Sequence, residues 1–202
     1  MGETCTQYLV LSLEDDMGKP GFEDAKYVFT PPLRKRKNQA PLWQALKDDV
    51  LQAVSTDHCP FRLADQKTLG LGNFAKIPNG APGIENRMQL IFHHGVNAGR
   101  ISLERFVEVT AEAPAKIFGM YPKKGVVAAG SDADIVLWDP SAKYTITAAS
   151  QSMHTDYSIF EGFAVKGNAR RVFSRGECIV DGGKFVGRVG RGRYLRREVA
   201  VR

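Results

Sequence analysis

Leu51-Gln52-Ala53-Val54-Ser55-Thr56, running into Asp57-His58-Cys59-Pro60, is the stretch that decides the fold. The first six residues predict a short apolar strand, and Pro60, which has no amide to give a ladder, forces the chain out of the sheet. Just upstream, Pro41-Leu42-Trp43-Gln44-Ala45-Leu46 places proline where a first helical turn tolerates it and spaces its apolar residues helically. This predicts a helix running to about Asp49. Earlier still, Glu3 to Leu13 is apolar and β-branched enough to predict a strand, which Gly18-Lys19-Pro20-Gly21 then breaks. Pro31-Pro32 bars regular helix or central strand between the two. Strand, helix, strand in that order predicts a parallel βαβ unit. In such units the polar residues just past the carboxyl ends of the strands face the ligand crevice, so Asp57 and His58 stand where chemistry is placed.

Downstream, a glycine-punctuated loop over 67–83 leads to a predicted helix over 84–98, with Met88, Ile91 and Phe92 as its buried face. Ser102 is a competent N-cap for the next helix, although Arg105 lacks the acidic group of a capping box. Pro114 to Gly119 predicts a third short helix stopped by its glycine. From Gly125 the pattern changes to short strands, Ile135 to Trp138, Tyr144 to Ile146, Ala169 to Phe173 and Cys178 to Val180, separated by turn residues. They predict a small β lobe.

The 202 residues are 43% hydrophobic and 25% charged, an ordinary globular composition with no repeat or low-complexity tract. No run reaches the roughly 20 apolar residues of a membrane span, and MGETCTQYLV has neither the basic start nor the apolar core of a signal peptide. A cytoplasmic protein with no membrane association is expected. Cys5, Cys59 and Cys178 are odd in number and far apart, so reduced thiols are expected rather than a disulfide framework or a zinc ribbon. The net charge of +6 is concentrated in Arg34-Lys35-Arg36-Lys37 and in a tail carrying Arg188, Arg191, Arg193, Arg196, Arg197 and Arg202. Outside those clusters the charges are mixed, which favours solvated faces or acidic neighbours over a nucleic-acid surface.

Taken alone, Asp57-His58 fits a structural hydrogen bond as well as it fits metal ligation or acid–base work. The whole string Ser55 to Phe61 (STDHCPF), with Lys76 to Glu85 (KIPNGAPGIE), is more specific. Together with Gly2 to Leu9 (GETCTQYL), Phe29 to Arg34 (FTPPLR), Gly125 to Asp139 (GVVAAGSDADIVLWD), Asp156 to Gly162 (DYSIFEG) and Gly192 to Arg197 (GRYLRR), it resembles the hydantoinase/dihydropyrimidinase family of cyclic amidohydrolases. The match runs in order through essentially the whole chain.

The resemblance implies an α/β fold, namely the C-terminal part of a (β/α)8 TIM-type barrel with its last two strands and following helices, plus a small β-sandwich lobe. Residues 1–124 would be the barrel part, 125–186 a segment of the lobe and 187–202 a basic extended tail. Enzymes of that family hydrolyse the amide bond of cyclic ureides such as hydantoin and dihydrouracil with two divalent metal ions, generally zinc, and are commonly homo-oligomers. Asp57 would then lie at the end of the eighth barrel strand, ligate one metal and act as the catalytic base. Thr30, where the family usually has serine, and Asn79 would bind the ureide ring, largely through backbone groups. His58 would support the site at most, Cys59 would pack, and His93, His94 and His154 match no ligand of the family.

The family's remaining metal ligands, a His-x-His pair, a carboxylated lysine and two further histidines, precede the region represented here. This sequence has no His-x-His, and of those ligands it retains Asp57. Catalytic zinc takes three protein ligands and an open position, so the isolated chain is expected to bind metal weakly or not at all and to be inactive. An unpaired parallel edge is an aggregation liability, so the chain is expected to need a cover, either the missing N-terminal half or other subunits. One alternative is a non-catalytic scaffold like the neuronal dihydropyrimidinase-related proteins. Those relatives characteristically lose the aspartate that stands here as Asp57.

Overall fold

The computed structural model describes residues 1–200; Arg202, counted above in the basic tail, lies outside them. Strand β1 (Glu3–Cys5) and strand β2 (Ala53–Ser55) pair in parallel, Glu3 opposite Ala53 and Cys5 opposite Ser55, with helix α3 (Gln39–Lys47) in the connection. The predicted parallel unit is therefore present, with one correction. Residues beyond Cys5 do not continue the strand but form helix α1 (Thr6–Val10). The partner strand ends at Ser55, and Asp57 takes the left-handed backbone conformation (φ 48°), so nothing remains for residues 6–10 to ladder against. Their amides and carbonyls find partners within a helical turn instead.

A one-turn helix α2 (Leu13–Asp16) follows, capped by Ser12, whose hydroxyl accepts the Asp15 amide. Its acidic residues receive the basic run: Arg36 donates its amide to Glu14 (2.9 Å) and its Nε to Asp15 (2.6 Å). Helix α3 ends where Asp49 adopts φ 58°.

The predicted helix over 84–98 is a 3-10 turn, then α4 (Arg87–Ile91), then a π-helical stretch Phe92–Asn97. Ile91 and Phe92 are buried as expected, whereas Met88 is half-buried. Ser102 caps α5 (Leu103–Val107) by accepting the Arg105 amide, and π-helical Glu108–Glu112 joins it to α6 (Ala113–Ile117). Leu9, Trp43, Leu46, Val54, Ile91, Phe92, Phe106 and Val109 form one core between these helices and β2. Arg105 crosses its edge, 9% exposed, donating to the Leu46 carbonyl (2.6 Å) and the Leu51 carbonyl (2.8 Å).

The β lobe is an antiparallel meander of β3 (Ile135–Thr145), β4 (Ala164–Ser174), β5 (Glu177–Asp181) and β6 (Lys184–Phe185). A sandwich requires a second, facing sheet, and among the described residues there is none; the sheet packs on the helices instead. The two strands predicted on either side of Pro140 are one strand. Asp139 folds the interruption into a bulge by accepting the Ser141 amide (2.9 Å) and the Ala142 amide (3.1 Å). At Gly167 (φ 110°) the strand lies so close to the π-helical stretch that a Cβ would stand 2.3 Å from the Phe92 ring, so only glycine fits there.

A second core gathers Leu11, Tyr27, Phe29, Leu33, Leu90, Ile146, Tyr157, Ile159 and Phe160, tying the segment before α3 to the lobe. From 188 to 200 the described residues form no helix or strand, but Arg191 is held by the Ser174 carbonyl (2.6 Å) and Glu177 (3.4 Å). No helix among the described residues is long and apolar enough to cross a membrane.

Candidate active site

Three loops converge beyond the carboxyl ends of β1 and β2: residues 28–33, 57–61 and 78–83. At the strand ends, the Cys5 thiol meets the Ser55 hydroxyl at 3.1 Å. Burial first, and then the nearby Asp57 charge, push the Cys5 thiol pKa up against the lowering effect of Ser55. Tyr8, donating to the Pro31 carbonyl at 2.6 Å, is likewise pushed up to about 12 by burial, with Cys5 and Asp57 adding to the shift. Asp57 stands two residues past the end of β2. Asp57 itself is exposed and holds its left-handed backbone, a conformation that aspartate and asparagine tolerate better than other side chains.

The loop after Asp57 is stitched to the loop of Asn79. His58 forms an isolated parallel bridge with Ala81, and the Cys59 amide donates to the Ala81 carbonyl (3.1 Å). The His58 Nδ1 accepts the amides of Gly83 (3.2 Å) and Ile84 (3.4 Å), which commits this imidazole as an acceptor. Burial lowers its pKa, against an opposing pull from Glu85. Its role is to support the loop. Cys59 is exposed on one side and packs Gly80 on the other: a Cβ on Gly80 (φ 151°) would lie 2.4 Å from the Cys59 carbonyl oxygen.

Thr30 and Asn79, 49 positions apart, meet through a hydrogen bond from Asn79 Nδ2 to Thr30 Oγ1 at 2.8 Å, and both are exposed. The Gly80 amide donates to the Val28 carbonyl (3.0 Å), so the two loops also share a backbone bond. The fold thus brings Thr30, Asn79 and Asp57 to one cluster of loops. The Asp156 carboxylate braces it from the lobe by accepting the amides of Leu63 (2.8 Å) and Ala64 (2.9 Å).

The histidines singled out in the sequence stand apart. His93 accepts the Lys166 amide (3.1 Å), His94 packs on Phe163, and His154 is exposed. Among the described residues no three His, Cys, Asp or Glu side chains converge as a metal centre would need. The donor set on this chain therefore does not fit a metal pair by itself.

One residue at the site gave no sequence signal. Lys67, which reads as the start of a glycine-punctuated loop, is 0% exposed, and its Nζ donates to the carbonyls of Val28 (3.0 Å), Pro78 (2.7 Å) and Gly80 (2.7 Å). Burial pushes its pKa down to about 8, so at neutral pH it remains an ammonium with three donors for three acceptors.

Comparison with known proteins places these features in a family. Residues 25–179 match the amidohydrolase family. The chain is 51% identical over 198 residues to a D-hydantoinase of Rhizobium radiobacter, covering 98% of this chain and 43% of that protein. It is 48% identical to a D-hydantoinase of Geobacillus stearothermophilus, covering 97% of this chain and 41% of that one. Among solved structures, a dihydropyrimidinase from Brevibacillus agri superposes with a TM-score of 0.97 at 52% identity, over 100% of this chain and 43% of that one. An L-hydantoinase from Arthrobacter aurescens superposes at 0.81 with 32% identity, over 92% of this chain and 40% of that one. The chain thus spans about two-fifths of the length of the relatives it matches.

Proposed function

We propose, on the premise that this chain belongs to the amidohydrolase family, that it is the C-terminal portion of a hydantoinase- or dihydropyrimidinase-like hydrolase that opens the ring amide of a cyclic ureide. The observation that carries this reading is the convergence of exposed Asp57, Thr30 and Asn79 beyond two parallel strands, in a chain half identical to D-hydantoinases. Strands β1 and β2 are then the last two of the barrel, residues 125–186 a segment of the lobe, and 187–202 a basic extended tail. Asp57 supplies one carboxylate to a metal pair, of zinc or another divalent ion, whose other ligands come from the portion this chain does not span.

Ring opening places water oxygen on the amide carbon and breaks the carbon–nitrogen bond, leaving a carboxylate and a free ureido nitrogen. The Asp57 carboxylate takes one proton from the attacking oxygen and hands it to the departing nitrogen, and water's second proton leaves to solvent as the new acid ionises, so the residue ends as it began. Thr30 and Asn79 hold the ureide by their peptide groups. These loops are pinned by backbone bonds, which makes a peptide-lined ring site rigid before substrate arrives. Either a hydantoin or a dihydrouracil ring suits such contacts.

The isolated chain lacks the other ligands and is expected to be inactive, with β1 and β2 each leaving an edge for missing barrel strands. The complete protein is expected to be a cytoplasmic homo-oligomer. The test is hydrolysis of hydantoin and dihydrouracil, with zinc, by this chain alone and by this chain mixed with the N-terminal portion of a relative. Turnover only in the mixture, lost with Asp57→Ala, supports the reading. Turnover by the chain alone would overturn the incompleteness, and none in either would favour the non-catalytic scaffold.

A further inference from the structure

Burying a lysine is costly unless its ammonium is fully hydrogen-bonded, and at Lys67 the three partners are not scattered. Two of them, the carbonyls of Pro78 and Gly80, flank Asn79; the third, the carbonyl of Val28, lies two residues before Thr30. The Val28 carbonyl also accepts the Gly80 amide at 3.0 Å, so one oxygen joins both loops and Lys67 fills its remaining acceptor site. The Phe61 ring, 5.7 Å from Nζ, adds contact from the loop that carries Asp57. All three loops of the site therefore meet at one side chain, while the Asn79 peptide itself stays uncommitted to the ammonium.

We propose that Lys67 is a positioning residue for the ureide site, a three-point clamp that sets the backbones of Val28 to Thr30 and Pro78 to Gly80 so that Thr30 and Asn79 present their peptide groups to the ring. This role rests on the hydantoinase-like reading above. Only an ammonium does this work. Arginine carries the charge in a flat fork whose donors do not converge on a point, and methionine keeps the stem without donors.

Two measurements on Lys67→Met test it. In the full chain, hydrogen exchange of the Gly80 amide is expected to quicken by about 10-fold or more, while amides paired between β3 and β4 stay within about two-fold of the parent. In the chain complemented with the N-terminal portion of a relative, KM for hydantoin is expected to rise by about 10-fold with kcat within about three-fold, the mark of lost binding in ground and transition states alike. A merely structural lysine would reduce the amount of active protein and leave KM alone. Unchanged KM, unchanged Gly80 exchange, or exchange rising equally throughout the chain each overturns the proposal. If Lys67→Met does not fold, Lys67→Arg carries the same comparison, with the charge retained and the convergence lost. Absence of turnover in the complemented parent would sink the hydantoinase-like reading instead, and the Gly80 exchange would still decide whether the clamp exists.

Discussion

Replacing Asp57 by asparagine separates chemistry from stability more cleanly than any other change at this site. The side chain is exposed, so little packing is lost, and the left-handed backbone (φ 48°) is one that asparagine accepts as readily as aspartate. Stability is therefore expected to stay within about 0.5 kcal/mol of the parent, as for surface changes that break no packing or cap. Alanine would be a poorer probe, because a side chain without a polar tip costs about 1 kcal/mol in that conformation. For turnover the amide is isosteric but takes no proton. Removing a positioned general base costs typically about 10²- to 10⁴-fold, equivalent to roughly 2.7–5.5 kcal/mol of barrier. The assay is ureide hydrolysis followed by acid release in a pH-stat, with the complemented protein, alongside urea unfolding of the chain. An asparagine variant turning over within ten-fold of the parent would remove Asp57 from the proton path. A variant that unfolds much more easily would show that the carboxylate is structural.

Three further outcomes are expected. Arg105→Met should destabilise the chain by about 2–4 kcal/mol by leaving the Leu46 and Leu51 carbonyls without their donor, whereas Glu108→Gln, its 42%-exposed ion-pair partner, should cost less than about 1 kcal/mol; chemical denaturation compares the two. Gly80→Ala should cost about 2–4 kcal/mol, since its Cβ would press on the Cys59 carbonyl from a φ of 151°, and thermal unfolding reads this directly. His94 is held near a pKa of about 4 by burial, then by His93 and Arg100, against an ordinary 6.5. Between those values the unfolded chain binds more protons than the folded one, so stability present above pH 6.5 falls as the pH drops toward 4, by on the order of 1–2 kcal/mol after allowance for partial exposure. The difference in unfolding free energy between pH 7 and pH 5, a window that covers about half of that loss, should shrink by on the order of 0.5–1 kcal/mol in His94→Gln.

Local patterns in the sequence decide the parallel unit. Proline in the first turn of α3, apolar residues from Leu51 and the exit at Pro60 act on their immediate neighbours, and the structure pairs β1 with β2 as they dictate. Motif strings likewise point to Thr30, Asn79 and Asp57, which the fold brings to one set of loops. What the sequence leaves open is whatever depends on a partner far along the chain. Residues 6–10 look like strand and become helix because the strand beside them stops at Ser55. The segments on either side of Pro140 look like two strands and become one because β4 runs past both, with Asp139 bridging the bulge. Lys67 reads only as the first residue of a glycine-punctuated loop. It is buried because three carbonyls from two distant segments converge on it, and a buried ammonium persists only where the tertiary structure supplies every acceptor it has lost from water.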